Sequence, residues 1–225
     1  MSYNKLKSLV ANVEAIATAM KIRIDDRQAT DQEKEVLSRY SGFGGIKDVL
    51  SIGTEHTVSN DVAEHIHRLQ DLIEAYPYYD DAMRQAVIDS IKSSVLTAFY
   101  TPKFLIDAVA RQIHATFMDN GLQMRTFLEP SAGIGGFLPV AMPDTRGYAF
   151  EKDCLTGLIL SLLHDKTTTV TAGFETIADQ HLEHGSFDVI ASNIPFGNFR
   201  VFDAEMWKKG GMYEQSAKTI HNYFF

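Results

Sequence analysis

Residues 125–137 read RTFLEPSAGIGGF, a short apolar segment that runs into a glycine-rich turn. The apolar residues predict a strand, and Gly133 and Gly135 allow a tight turn in which a ligand can approach bare backbone. Helical or loop segments separate this strand from three further β signals. The predicted strands are Arg125–Leu128, Gly147–Phe150, Thr168–Ala172 and Phe187–Ala191. This alternation indicates a mostly parallel, doubly wound α/β sheet, in which ligands bind beyond the carboxyl ends of the strands.

Helical patterns dominate the chain ahead of the first strand. Apolar residues recur at three- and four-residue steps from Leu6 to Met20, and Thr30 with Glu33 has the spacing of a capping box. Further helices are predicted over about 61–75, 79–95, 104–118 and 154–164. We therefore expect two domains, a helical N-terminal region over residues 1–96 and an α/β domain over residues 97–225.

Composition excludes several classes of protein. The 225 residues are 45% hydrophobic, which suits a globular core, and the single cysteine, Cys154, excludes an internal disulfide or a cysteine-rich zinc site. We expect a reducing, cytoplasmic location and no membrane span, because no apolar run approaches about 20 residues. The net charge of −8 argues against a stand-alone nucleic-acid binder, although an enzyme could still contact DNA through a local patch. His181 and His184 lack an acid or cysteine to complete a metal site, so no metal is expected.

Polar residues follow the first three predicted strands. The glycine loop, defined as residues 130–137, lacks the third glycine of a dinucleotide fingerprint, because position 138 is Leu138. Glu151 follows the second strand, where a carboxylate can accept hydrogen bonds from both hydroxyls of a ribose. Phe174 and Glu175 follow the third strand. The Phe174 ring could cover an adenine face or simply belong to the core, and both interpretations stay open.

The segment after the fourth strand, Ser192-Asn193-Ile194-Pro195-Phe196-Gly197, is the most informative. The Asn193 side-chain oxygen and the next backbone carbonyl can both accept from an exocyclic amine, while Pro195 stiffens the turn. Phe196 can stack on a planar base. Two acceptors would draw the nitrogen lone pair out of conjugation and aim it at an electrophilic methyl group. Such catalysis depends on positioning and electrostatics, without a covalent nucleophile.

These motifs together resemble the N6-adenine DNA methyltransferases in the gamma motif order. The resemblance rests on Phe99-Tyr100-Thr101-Pro102, Glu129-Pro130-Ser131-Ala132-Gly133-Ile134-Gly135, Glu151 and Asn193-Ile194-Pro195-Phe196. The stretch from Arg27 to Gly45 also resembles the entry to very large methylase–helicase proteins of bacterial mobile elements. The resemblance implies a Rossmann-like S-adenosylmethionine-dependent methyltransferase fold, S-adenosyl-L-methionine as cofactor, and methylation of adenine N6 in double-stranded DNA in a restriction-modification or mobile-element setting.

The resemblance also implies a role for each motif residue. Thr101 would contact the methionine carboxylate, Glu151 the ribose hydroxyls, and Asn193 with the Ile194 carbonyl the adenine amine, while Phe196 would stack on the flipped base. The implied cofactor-binding residues are Phe99, Tyr100, Thr101, Pro102, Glu129, Pro130, Ser131, Ala132, Gly133, Gly135, Glu151, Lys152, Phe174 and Glu175. The implied catalytic residues are Asn193, Ile194, Pro195 and Phe196.

Two departures from the family pattern qualify this expectation. The family usually has proline where this chain has Ile194, and its sheet has seven strands, whereas four are predicted here. We therefore expect a C-terminally truncated piece of a longer polypeptide that carries a helicase or target-recognition region, and the piece alone could be inactive. Two alternatives stay open. One is a methyltransferase acting on RNA or on protein glutamine, and the other is a non-catalytic accessory module for DNA modification or a helicase.

Overall fold

The computed structural model describes residues 4–53, 60–95, 100–180, 185–195 and 200–224. The helices are α1 (Lys5–Ile24), α2 (Asp31–Leu37), α3 (Asn60–Ala75), α4 (Asp81–Ser94), α5 (Lys103–Asp119), α6 (Cys154–Leu163), α7 (Ala204–Lys209), α8 (Gly211–Ser216) and α9 (Ile220–Tyr223). The strands are β1 (Thr126–Glu129), β2 (Arg146–Phe150), β3 (Thr168–Val170) and β4 (Val189–Ile190). Short 3₁₀ helices span Lys47–Ser51, Leu138–Val140 and Phe174–Gln180. The chain therefore has a mixed α/β structure.

The chain forms two compact units. The helical unit comprises residues 1–99 together with Asp153–Leu163, and the sheet unit comprises Tyr100–Lys152 together with His164–Phe225. Helix α6, which connects β2 to β3 along the chain, thus groups with the N-terminal helices. The domain boundaries expected from the sequence, 1–96 and 97–225, stay a prediction.

Within the helical unit, the predicted apolar stripe of α1 is buried at Leu9, Val13, Ile16 and Met20, whereas Leu6 is exposed. Helix α1 packs against α2, α3 and α6. The predicted capping box of α2 is confirmed: Glu33 N–H donates to Thr30, and the Glu33 carboxylate accepts from the Thr30 N–H. Helix formation here follows the periodicity and capping signals of the sequence.

A buried asparagine shapes the glycine-rich turn that follows α2. Asn12 is fully buried in α1, donates to the Gly42 carbonyl at 2.6 Å and accepts from the Ser41 N–H at 2.8 Å. Gly42 has a φ of +65°, a left-handed conformation that favours glycine. The turn is therefore held by α1 rather than acting as the cap of α2, which ends at Leu37.

The single cysteine lies in the helical unit and is a poor nucleophile. Burial raises the pKa of Cys154, at the start of α6, to about 11. The thiol is therefore protonated at neutral pH, and a thiolate is the form that acts as a nucleophile.

The sheet unit has four parallel strands in the order β3-β2-β1-β4. The predicted strands are confirmed, although β3 and β4 are shorter than expected, at three and two residues. Phe127 and Leu128 of β1 are buried, as suits a central parallel strand. From β1 the chain adds β2 and then β3 on one side of the sheet, and β4 pairs with the other side of β1. The strand order therefore reverses between β1 and β4, and this is the topological switch point.

Two local features fix the ends of the elements around this sheet. Asp188, just before β4, accepts from the Arg125 and Thr126 N–H groups at 2.7 and 2.9 Å, and these hydrogen bonds lower the pKa of its carboxyl. Gly121 follows α5 with a φ of +61° and donates its N–H to the Met118 carbonyl, which ends the helix. Among the described residues, no helix has both the length and the apolar character needed to cross a membrane.

Candidate functional site

The glycine loop folds tightly over the carboxyl end of β1. Gly133 and Gly135 have φ values of +57° and +83°, and the Gly135 N–H donates to the Ala132 carbonyl at 2.8 Å. The Ala132 N–H donates in turn to the Phe150 carbonyl at the end of β2, also at 2.8 Å. The predicted tight turn is confirmed, and the short 3₁₀ helix Leu138–Val140 follows the loop directly.

A side chain at position 135 would have to displace its neighbours. A Cβ there would lie 2.5 Å from Nε2 of His164 and 2.7 Å from Cδ1 of Leu138. The His164 Nε2 also donates to the Ile134 carbonyl at 2.9 Å. His164 therefore supports the loop from outside. No local pattern predicts this role, because 30 residues separate the two partners.

The segment before α5 also reaches the glycine loop. A Cβ at Gly133 would lie 2.8 Å from Cε1 of the Tyr100 ring, so Tyr100 packs directly on the loop backbone. Thr101 is half-buried, and the Pro102 carbonyl accepts from the Leu105 N–H at 3.0 Å in the first turn of α5. Two motifs that are about thirty residues apart in the chain are thus in contact. Phe99, which was also predicted to line the cofactor site, lies outside the described residues.

Glu151 lies at the end of β2, next to the glycine loop. Its carboxylate Oε2 accepts from the Gly133 N–H at 2.7 Å, and its own N–H donates to the Val170 carbonyl of β3. The side chain therefore holds the loop in shape. The contact of Glu151 with ribose hydroxyls, which the sequence predicts, stays a prediction. The neighbouring Lys152 is mostly exposed and forms a 3.4 Å ion pair with Glu175.

Glu129, the last residue of β1, is only 1% exposed. Its Oε1 accepts from the Phe137 N–H at 3.0 Å, whereas Oε2 is buried and has no hydrogen-bond partner among the described residues. Burial raises the pKa of Glu129 to about 8 although the Phe137 and Leu138 N–H groups lower it, and the negative charge of Glu151 adds a smaller rise. Shifted carboxyl groups of this kind are concentrated at functional sites.

Phe174, after β3, belongs to an aromatic cluster within the sheet unit. Its ring stacks on Phe224 at a centroid distance of 5.6 Å and an interplanar angle of 19°, and it meets Phe150 and Tyr223 edge-on at 5.6 and 6.3 Å. The carboxylate of Glu175 lies where a Cβ at Gly173 would be. Phe174 thus has the contacts of a core aromatic residue, and its predicted cover of an adenine face stays a prediction.

The segment after β4 meets the glycine loop at the switch point. The Ala191 N–H donates to the Leu128 carbonyl of β1 at 3.1 Å, and Ser192 Oγ donates to the Ser131 carbonyl at 3.0 Å. Asn193, Ile194 and Pro195 follow directly and are half-buried. Phe196, the predicted stacking residue, lies outside the described residues, so nothing is concluded about its position.

The structure therefore brings most of the predicted site residues to the carboxyl edge of one sheet. The residues joined there by hydrogen bonds or packing contacts are Tyr100, Glu129, Ser131, Ala132, Gly133, Gly135 and Glu151. Pro130 continues directly from Glu129, and Asn193, Ile194 and Pro195 from Ser192. Within the described residues, no cluster of histidine, cysteine and acidic side chains has the makings of a metal site.

Comparison with known proteins shows a similarity to a bacteriophage protein. No model of a known protein family matches the chain. Over 196 residues the chain is 26% identical to "Defense against restriction protein B" of Escherichia phage P1. The match covers 87% of this chain but only 6% of that protein, so this chain corresponds to a small part of a much longer relative. The similarity is consistent with the expected mobile-element context.

Proposed function

We propose that this chain is part of an S-adenosylmethionine-dependent methyltransferase that acts on the N6 amine of adenine in DNA. The observation that carries the proposal is the contact of three separate motifs at one sheet edge. Tyr100 packs on Gly133, Glu151 accepts from the same glycine, and Ser192 bonds to Ser131. Ligands of open α/β sheets bind at such an edge, next to the switch point.

The polar groups at this edge fit the proposed cofactor. When bound, S-adenosylmethionine supplies an electrophilic methyl group on a sulfonium centre. The buried Oε2 of Glu129 suits a cationic N–H donor, because among the described residues nothing else satisfies it. Glu151 is proposed to accept from the ribose hydroxyls, and Thr101 is proposed to donate to the methionine carboxylate.

Asn193 and the Ile194 carbonyl are proposed to act on the target base. Both oxygens would accept hydrogen bonds from the N6 amine. The nitrogen lone pair would then no longer be delocalised into the adenine ring and would point at the methyl carbon. Bound S-adenosylmethionine would supply the methyl group, and the two oxygens would hold the amine in place until its proton leaves to solvent. No acid, base or nucleophilic side chain is required for this step.

The similarity to the phage protein supports a biological setting for this activity. That relative is named for defence against restriction and belongs to a bacteriophage. We propose that methyl transfer by the longer protein of which this chain is a part marks DNA of a mobile element. DNA, and the rest of that polypeptide, are then the partners of this chain.

The test is methyl transfer from radiolabelled S-adenosylmethionine to adenine-containing duplex DNA, compared between the wild type and Asn193→Ala. We expect Asn193→Ala to abolish transfer while cofactor affinity is unchanged, because the residue would contact only the base. Duplexes without adenine, single-stranded RNA and glutamine-containing peptides serve as acceptor controls. Transfer to RNA or peptide in place of DNA would establish the alternative substrate classes. Cofactor binding with no transfer to any acceptor would instead favour a non-catalytic accessory module, and transfer unchanged by Asn193→Ala would refute the assigned role.

A further inference from the structure

The buried carboxyl of Glu129 is the least satisfied polar group of the site. It is 1% exposed, its Oε1 accepts from the Phe137 N–H at 3.0 Å, and its Oε2 has no partner in the part of the chain that the structure describes. A buried charge without a counter-charge is costly, and proteins avoid that cost by protonating the group or by pairing it. Phe137, which donates the hydrogen bond to this carboxyl, belongs to the glycine loop.

The charged surroundings of Glu129 oppose its ionisation. Glu151, at the end of the neighbouring strand β2, contributes a negative charge that acts on Glu129. Among the described residues, Tyr100 and His164 are titratable side chains that pack on the glycine loop, and the His164 Nε2 donates to the Ile134 carbonyl. Within the described residues, no lysine or arginine forms an ion pair with Glu129.

We infer that Glu129 holds a proton before ligand binds and releases it when the ammonium group of the ligand donates a hydrogen bond to Oε2. The inference rests on the proposed function, because it takes the methionine ammonium of S-adenosylmethionine as the cation. The O–H bond of the carboxyl breaks, the proton passes to the buffer, and an N–H of the ammonium replaces it. Glu129 then selects a ligand whose amino-acid end carries a positive charge.

A proton-linked affinity follows from this arrangement. With the pKa of the ligand-free carboxyl at about 8, the ionised form that binds the cation becomes scarcer as the pH falls. Affinity should therefore drop about tenfold from pH 7 to pH 6, a range in which the α-ammonium stays protonated. Below the pKa of the ligand-free form, about one proton should leave for each ligand bound.

The primary test is isothermal titration calorimetry at about pH 6.5 in several buffers with different ionisation enthalpies. The wild type should release about one proton per S-adenosylmethionine. Glu129→Gln, which keeps an oxygen for the Phe137 N–H but cannot ionise, should release none and should lose the pH dependence. S-adenosylhomocysteine, which retains the ammonium but not the sulfonium, should also release a proton. 5′-Methylthioadenosine, which has no ammonium, should bind without release.

A second measurement needs no ligand. Carbon-13 NMR of the carboxyl of Glu129, assigned by its absence in Glu129→Gln, should titrate near pH 8 in the free protein. Titration near pH 4, or equal proton release from all three ligands, would overturn the inference. Binding of S-adenosylmethionine without proton release would overturn it and leave the proposed function intact. A folded chain that binds none of the three ligands would instead count against the proposed function itself.

Discussion

Replacing Gly135 with alanine tests whether the glycine loop is as closely packed as the structure indicates. The backbone at this position has a φ of +83°, so any Cβ brings left-handed strain of about 1–2 kcal/mol. The new Cβ would also lie 2.5 Å from His164 and 2.7 Å from Leu138. Overpacking of this kind costs about 1–3 kcal/mol. We therefore expect Gly135→Ala to lower the free energy of unfolding by about 2–5 kcal/mol.

Gly121→Ala is the matched control. Gly121 belongs to the same unit, has a φ of +61°, and has no atom within 4 Å of its ideal Cβ position. The alanine there carries only the backbone strain, about 1–2 kcal/mol. The reduction in unfolded-chain entropy that alanine brings is common to both variants and cancels in their difference. The difference in unfolding free energy between the two variants, about 1–3 kcal/mol, is the cost of the close contacts at position 135.

Urea denaturation followed by tryptophan fluorescence is a suitable assay. The chain has one tryptophan, Trp207, and it lies in the sheet unit, so its emission reports on the unit that carries the loop. Cofactor affinity, measured at a temperature where both variants are folded, should fall in Gly135→Ala and stay at the wild-type level in Gly121→Ala. Equal stability losses in the two variants would refute the close packing described around Gly135.

Two further predictions concern parts of the molecule outside the loop. Asn12→Ala leaves the Ser41 N–H and the Gly42 carbonyl without partners, so we expect a loss of about 2–4 kcal/mol in unfolding followed by circular dichroism. A loss no larger than that of the exposed cap variant Asn4→Ala, about 1 kcal/mol, would contradict this. For Asp188, the folded-state pKa lies below its ordinary value, so its contribution to stability is complete above that value and is lost as the pH falls through the folded pKa. Asp188→Asn should therefore flatten the acid limb of the stability profile, and an unchanged acid limb would exclude the role of these hydrogen bonds.

The local structure of this chain was largely predictable from its sequence. Apolar periodicity located α1, and the Thr30–Glu33 spacing identified the start of α2. The alternation of strands and helices indicated a parallel sheet, and Gly133 and Gly135 indicated the tight turn that follows β1. Each of these features depends on residues that are close in sequence, where propensity and capping act.

The contacts that complete the candidate site were not predictable in the same way. His164 supports Ile134 across 30 residues, and Ser192 reaches Ser131 across 61. Oε2 of Glu129 has no hydrogen-bond partner among the described residues, a property that depends on the whole of its surroundings, so no local pattern could reveal it. The grouping of α6 with the N-terminal helices is likewise set by tertiary packing, since its pattern alone reads as an ordinary crossover helix.

Phe174 illustrates a limit of a different kind. Its position after β3 was compatible with an adenine contact and with a core residue, and the two cannot be separated by residue type. The parallel stack with Phe224 and the edge contacts with Phe150 and Tyr223 supply the core contacts. An adenine at this position would have to share or displace the face that Phe224 covers.

The most direct test of the central claim is calorimetric titration of S-adenosylmethionine into this chain, with Glu151→Ala in parallel. Circular dichroism first establishes that both proteins are folded. We predict stoichiometric binding by the wild type and weaker binding by Glu151→Ala, because the variant loses both the support of the Gly133 N–H and the proposed ribose contact. Absence of binding by the folded wild-type chain, or equal affinity in the two proteins, would contradict a cofactor site at this edge of the sheet.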